Sequence, residues 1–124
     1  MRLLLADNQA KVRFALRALL EQQPGLTVVG EAAEAKDVLP QIKAVHPDLV
    51  LLDWNLCGLV EASLLSTLRQ VYPDLIVVVL SARPEVRQAA LEAGADAFVS
   101  KTDPPERLLE AIREVRSCHT SASQ

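Results

Sequence analysis

Asp48-Leu49-Val50-Leu51-Leu52-Asp53, followed at once by Trp54-Asn55-Leu56-Cys57-Gly58, decides how this chain folds. The run between the two acids does not alternate, so a strand built from it is apolar on both faces. Such a strand must be covered from both sides, which is the condition of a parallel sheet between helical layers. The polar, turn-like residues that follow place Asp53 at the strand's carboxyl tip. In open α/β sheets that edge is where ligands bind and chemistry is done.

Outward from this strand, strand and helix patterns alternate from end to end. Residues 2–6 read as a first strand; Val12, Leu16, Leu19 and Leu20 then recur at helical spacing until Pro24-Gly25 closes the helix. A short strand over 26–29 precedes a second helix marked by Val38, Leu39, Ile42 and Val45 and stopped before Pro47. After the central strand (49–52), Leu64, Leu65, Leu68 and Val71 mark a third helix that ends before Pro73. A fourth strand over 75–80 leads to a helix that starts near Pro84, suited to a first turn, and ends at Gly94, suited to a C-cap. A fifth strand over 96–100 precedes a helix opened by Pro104-Pro105, with Leu108, Ile112 and Val115 inward. Five βα units of this kind give an α/β fold: one parallel sheet with helices on both faces. Val45-His46-Pro47-Asp48-Leu49 and Val71-Tyr72-Pro73-Asp74-Leu75 echo each other as one helix-to-strand junction used twice.

Composition narrows the classes. At 124 residues the chain is one domain, long enough to bury roughly two-thirds of its unfolded surface without a disulfide or structural metal. A formal charge of −3 and the lack of any Lys/Arg-rich run argue against direct nucleic-acid binding. Cys57 and Cys118 are too few for a disulfide framework and read as reduced thiols of a cytoplasmic protein. The opening Met1-Arg2-Leu3-Leu4-Leu5 stops at Asp7, too short for an export signal. No run approaches the ~20 apolar residues of a membrane span. The expected domain covers 1–116, with the small polar residues 117–124 as a frayed tail or the start of a linker.

Other strands also end in chemistry. The first is followed by Asp7-Asn8, the fourth by Ser81 and the fifth by Lys101. Singly, each residue has a plain explanation: Asp7 as a turn former, Asn8 and Ser81 as helix caps, Lys101 as a solvated cation. Together on one sheet edge they make a site for a cation and a phosphoryl group. Two carboxylates ~4 Å apart repel by about 4 kcal/mol at an effective dielectric of 20, and a divalent ion reverses that cost. Mg2+ suits carboxylates, carbonyls and waters, and commonly bridges a carboxylate to a phosphoryl oxygen. Asp53 can act as a nucleophile and form an acyl phosphate, with Lys101 neutralising charge and Ser81 donating a hydrogen bond.

On these residues the chain resembles the receiver domains of two-component response regulators, over residues 1–116. That family has an acidic pair after the first strand, a phosphoaccepting Asp after the third, Ser or Thr followed by Ala after the fourth, and Lys after the fifth. Asp7-Asn8, Asp53, Ser81-Ala82 and Lys101 match in that order. Gly94-Ala95-Asp96-Ala97-Phe98-Val99-Ser100-Lys101 is similar to the family's fifth-strand signature. Asp103-Pro104-Pro105-Glu106-Arg107-Leu108-Leu109-Glu110-Ala111-Ile112 is similar to receivers fused to LuxR-type helix-turn-helix domains. The resemblance implies the flavodoxin-like strand order 2-1-3-4-5. It also implies phosphorylation of Asp53 by a sensor histidine kinase, with Mg2+ held by Asp7, Asn8, Asp53 and the Asn55 carbonyl. Ser81, Ala82 and Lys101 would grip the phosphoryl group, and Ser81 and Phe98 would act as the switch. The face made by the fourth helix, fifth strand and fifth helix would then change and bind a partner, which includes a second copy. The output implied is transcription through a C-terminal DNA-binding domain, with no DNA or membrane contact by this segment.

The chain departs from the family pattern in three places. Asn8 replaces an acid and brings no charge to the metal. Cys57 stands where proline is usual. Thr102 follows Lys101 where many receivers have proline, so no X-Pro bond exists there. These departures leave a second reading, a degenerate receiver that serves as a phosphorylation-independent dimerisation or docking module. An enzyme reading is weaker: an aspartyl phosphatase needs an acid two residues after its nucleophile, where this chain has Asn55. A flavin carrier on the same fold needs a Ser/Thr/Gly-rich loop after the first strand, where this chain has Asp7-Asn8-Gln9-Ala10.

Overall fold

A computed structural model describes residues 1–56 and 61–122. Cys57 lies outside the described residues. Strands and helices alternate: β1 (Arg2–Ala6), α1 (Ala10–Glu21), β2 (Thr27–Ala32), α2 (Ala35–Val45), β3 (Leu49–Asp53), α3 (Glu61–Val71), β4 (Ile76–Ser81), α4 (Arg87–Glu92), β5 (Ala97–Ser100) and α5 (Pro105–Ala122). All pairings are parallel, and the order is β2-β1-β3-β4-β5. The expected fold class and strand order are those observed.

Strand periodicity sorts the core into two layers. Leu4, Ala6, Val50, Leu52, Val77, Val79 and Phe98 pack on one face with Val38 and Ile42 of α2, Leu65 and Leu68 of α3 and Ala90 of α4. Leu3, Leu5, Leu49, Leu51, Val78, Leu80 and Val99 pack on the other with Leu20 of α1 and Leu108, Ile112 and Val115 of α5. Every residue of β3 is buried, as its unbroken apolar run requires.

Four elements differ from the sequence expectation. β2 extends to Ala32 rather than ending at 29, because pairing with β1 carries Gly30 and Glu31 along in register with Leu4 and Leu5. The helix expected from Pro84 begins as a 3-10 turn over Pro84–Val86 and becomes α-helical only at Arg87. Val71 ends α3 with its side chain 56% exposed, so the apolar series of that helix stops facing inward at Leu68. α5 continues as helix to Ala122, past the expected boundary at 116. Gly94 closes the segment after α4 at φ +118, where an added Cβ would meet Arg69 Cγ at 2.7 Å. No helix among the described residues is long and apolar enough to cross a membrane.

Candidate functional site

The strand register puts the acids side by side. Ala6 pairs with Leu52, so the next step along β1 and β3 brings Asp7 level with Asp53. Both acids continue the alternation of Leu3-Leu5 and Leu49-Leu51, and Lys101 continues that of Val99. All three are therefore presented toward the α1/α5 side of the edge. Lys101 stands two residues past Val99, about 7 Å further along the strand direction, and its long stem reaches back. Its ammonium donates to Asp7 Oδ2 at 2.8 Å and lies 3.3 Å from Asp53 Oδ2. Asp7 and Asp53 are each only 2% exposed.

The remaining oxygens of both acids are held by the loops. Asp7 Oδ1 accepts the Gln9 N–H at 2.8 Å, and Asp53 Oδ1 accepts the Asn55 N–H at 3.1 Å. Each acid thus folds the backbone that follows it into a tight turn. Asn8 and Asn55 sit exposed at the rim of the carboxylate pair. Burial raises the Asp53 pKa, the Asp7 charge raises it further, and Lys101 and the Asn55 N–H oppose both. One ammonium therefore falls short of balancing two buried carboxylates.

Ser81 is fully buried, and its Oγ accepts the Arg83 N–H at 3.0 Å, which leaves its own proton free to donate. The Ser81 carbonyl accepts the Lys101 N–H at 2.8 Å, tying the fourth and fifth strand exits together. Ala82, next to it, is exposed. Phe98 shares the strand face of Ser81 and is only 7% exposed, within the layer that includes Ala90 of α4. The ring is already turned into the core. The structure thus brings Asp7, Asp53 and Lys101 into direct contact, sets Asn8 and Asn55 beside them, and places Ser81 and Phe98 behind on the opposite strand face.

Sequence reading missed a third group around Asp7. Arg13 of α1 donates from Nη1 to the Asp7 carbonyl oxygen at 2.6 Å and from Nε to Glu31 Oε1 at 2.8 Å. Arg17 donates to Glu31 Oε2 from Nε at 3.1 Å and Nη2 at 2.8 Å. Burial alone would raise the Glu31 pKa, but the Arg17 and Arg13 guanidiniums outweigh it and the pKa is lowered. No local pattern announces this group, because its members come from a helix and a strand that meet only on folding.

The acids, Asn8 and Asn55 suit a hard, oxygen-seeking cation: they are oxygen donors around a carboxylate pair with excess negative charge. Among the described residues, no three His, Cys, Asp or Glu side chains gather as a complete metal cage. Such a cation would therefore keep several waters, as Mg2+ commonly does. A cavity of about 690 Å3 lies at the amino edge of the sheet, lined by His46, Asp48, Tyr72 and Asp74, and touches none of these residues.

A doubly wound sheet with two buried carboxylates and a lysine on its carboxyl edge defines an α/β receiver. The chain belongs to the response regulator receiver domain family, whose model matches residues 3–113. It is 35% identical over 127 residues to the transcriptional activator protein ExaE of Pseudomonas putida, covering 100% of this chain and 59% of that protein. It is 30% identical over 128 residues to protein-glutamate methylesterase/protein-glutamine glutaminase 1 of Methanosarcina acetivorans, covering 98% of this chain and 37% of that protein. A crystal structure of a LuxR-family two-component response regulator from Aurantimonas sp. SI85-9A1 superposes with a TM-score of 0.85 at 30% identity, over 92% of this chain and 83% of that one. The chain thus spans only part of the length of these curated relatives, 59% of one and 37% of the other. Receiver domains interact with histidine kinases, some dimerise, and they generally bind Mg2+ at the acidic phosphorylation site.

Proposed function

We propose that this receiver is a phosphorylation-dependent switch in which Asp53 accepts a phosphoryl group from a sensor histidine kinase. The observation that carries the reading is the Lys101 ammonium held between two buried carboxylates, 2.8 Å from Asp7 and 3.3 Å from Asp53. A carboxylate oxygen of Asp53 attacks phosphorus; the P–N bond to the donor imidazole breaks, and the imidazole keeps the electron pair. Lys101 and the Ser81 hydroxyl hold the transferred oxygens, with Ala82 lining the approach. Asp7, Asn8, Asp53 and the Asn55 carbonyl would hold Mg2+, which would supply the positive charge that in-line phosphoryl transfer needs. The domain promotes its own phosphorylation and dephosphorylation and catalyses no other reaction.

Phosphorylation brings position 53 from one negative charge to about −1.5 to −2 at neutral pH. Ser81 and Phe98 relay that change to the α4-β5-α5 face, through which the domain controls its output and pairs with a second copy. The similarity to a LuxR-family regulator and to a transcriptional activator supports transcription as that output, through a DNA-binding domain outside this chain. Residues 1–116 would form the receiver unit and 117–124 lead into a connector, a division supported by the family match to 3–113. A cytoplasmic location follows from a kinase-fed switch. Incubation with acetyl phosphate and Mg2+ followed by intact mass is the test. One phosphoryl group should add to the wild type and none to Asp53→Ala. No addition to the wild type would leave the phosphorylation-independent docking module in its place.

A further inference from the structure

We infer that Arg13 is a positioning residue for the phosphorylation site: it fixes the backbone of Asp7 from outside the pocket by bridging its carbonyl oxygen to Glu31. The inference rests on the proposed Mg2+ and phosphoryl chemistry only for its functional readout. Asp7 lies just past the end of β1, where the regular ladder stops. Its N–H donates to the Ala32 carbonyl at 3.0 Å, the last backbone bond toward β2. Its carbonyl, for which no backbone partner is found among the described residues, accepts from Arg13 Nη1 at 2.6 Å. Between these two bonds the Asp7 backbone is held on both sides, and its carboxylate is aimed at Lys101 and Gln9 N–H.

Arg13 is itself held. Its Nε binds Glu31 Oε1, and Glu31 is pinned through its other oxygen by Arg17. The guanidinium side chain is only 17% exposed. A planar fork that satisfies a carboxylate with one edge and a carbonyl with another N–H fits this task, and a lysine cannot reproduce it. Arg17 serves as a comparison: it binds the same Glu31 and, at 3.6 Å, Glu21, and among the described residues no hydrogen bond or ion pair joins it to Asp7. Residues that orient metal-ligating groups typically change metal affinity or activity by roughly 10- to 100-fold when removed.

The test compares Arg13→Ala, Arg13→Lys and Arg17→Ala with the wild type. Mg2+ is titrated against Trp54 fluorescence, and hydrogen exchange is followed at the Gln9 amide, which reports Asp7 geometry without metal. Arg13→Ala should weaken Mg2+ binding by about 10-fold or more and speed Gln9 exchange. Arg17→Ala should change both clearly less than Arg13→Ala does, since Arg17 acts on Asp7 only at one remove, through Glu31 and Arg13. Equal effects from the two alanine variants, or none from Arg13→Ala, would overturn the inference. Should Arg13→Ala fail to fold, Arg13→Lys set against Arg17→Ala decides in the same way. A wild type that takes no phosphoryl group from acetyl phosphate defeats the signalling reading alone; the Gln9 exchange comparison still decides the role of Arg13.

Discussion

The two edges of the sheet are made by the same strands and differ in how they treat charge. At the carboxyl edge, Asp7, Asp53 and Lys101 are drawn inward, and the carboxylates are almost wholly shielded from water. At the amino edge, the twin junctions at His46-Pro47-Asp48 and Tyr72-Pro73-Asp74 leave both acids exposed. Asp48 there serves the fold: its Oδ2 accepts the Arg2 N–H at 2.7 Å, while the Arg2 side chain donates to the carbonyls of Val45, the last residue of α2, and of His46 just past it. The cavity of about 690 Å3 at this structural edge exceeds the one of about 410 Å3 that Lys101 lines at the other. Cavity size therefore does not locate the chemistry; uncompensated buried charge does.

The sharpest way to break this contrast is at Lys101. Lys101→Ala should slow phosphorylation by acetyl phosphate about 100-fold or more, the usual cost of losing a charged group aimed at a transition state. A rate within twofold of wild type would show that the edge does not work through this cation. Next is Asn8→Asp, which adds a third carboxylate at the rim. Mg2+ affinity should rise roughly 10-fold, read by Trp54 fluorescence, because the ion gains a charged ligand in place of an amide. Equal affinities would mean that Asn8 does not face the ion.

A smaller effect concerns stability without metal. The raised Asp53 pKa means that the folded state holds its proton to higher pH than the unfolded chain does. Stability is therefore lost as pH rises from the ordinary carboxylate range through the folded-state value. Asp53→Asn removes that loss and should raise the melting temperature at neutral pH by roughly 3–5 °C. The gain should vanish as pH falls below the ordinary aspartate value. Smallest of all is the amino edge. Asp48→Ala should cost about 1 kcal/mol in denaturant unfolding through the lost Arg2 bond. Asp74→Ala, at the matching place in the second junction, should stay within about 0.5 kcal/mol. Neither should alter phosphorylation.

Much of the carboxyl edge was legible because strand alternation is rigid. Once the sequence gives β1, β3 and β5, the parity of Leu5, Leu51 and Val99 dictates that residues 7, 53 and 101 share a face. Only the order of strands was needed to bring them together, and that came from the family resemblance. What escaped reading depends on pairing between distant segments. Gly30 and Glu31 have little strand character, and β1 holds them extended. Arg13 looked like one more polar residue of an amphipathic helix until β2 brought Glu31 beneath it. Arg87, where α4 truly begins, carries no capping signal to set it apart from Pro84.

α5 has a mechanical consequence. It starts at Pro105, four residues along from Lys101, and passes Arg116 at the wall of the amino-edge cavity. Its 18 residues make a rod ~27 Å long that spans the domain from pole to pole. A tilt of about 5° at its foot would swing its tip by about 2 Å, given that length. Geometry alone would thus magnify a subtle rearrangement beside Lys101 into a stroke at the far pole.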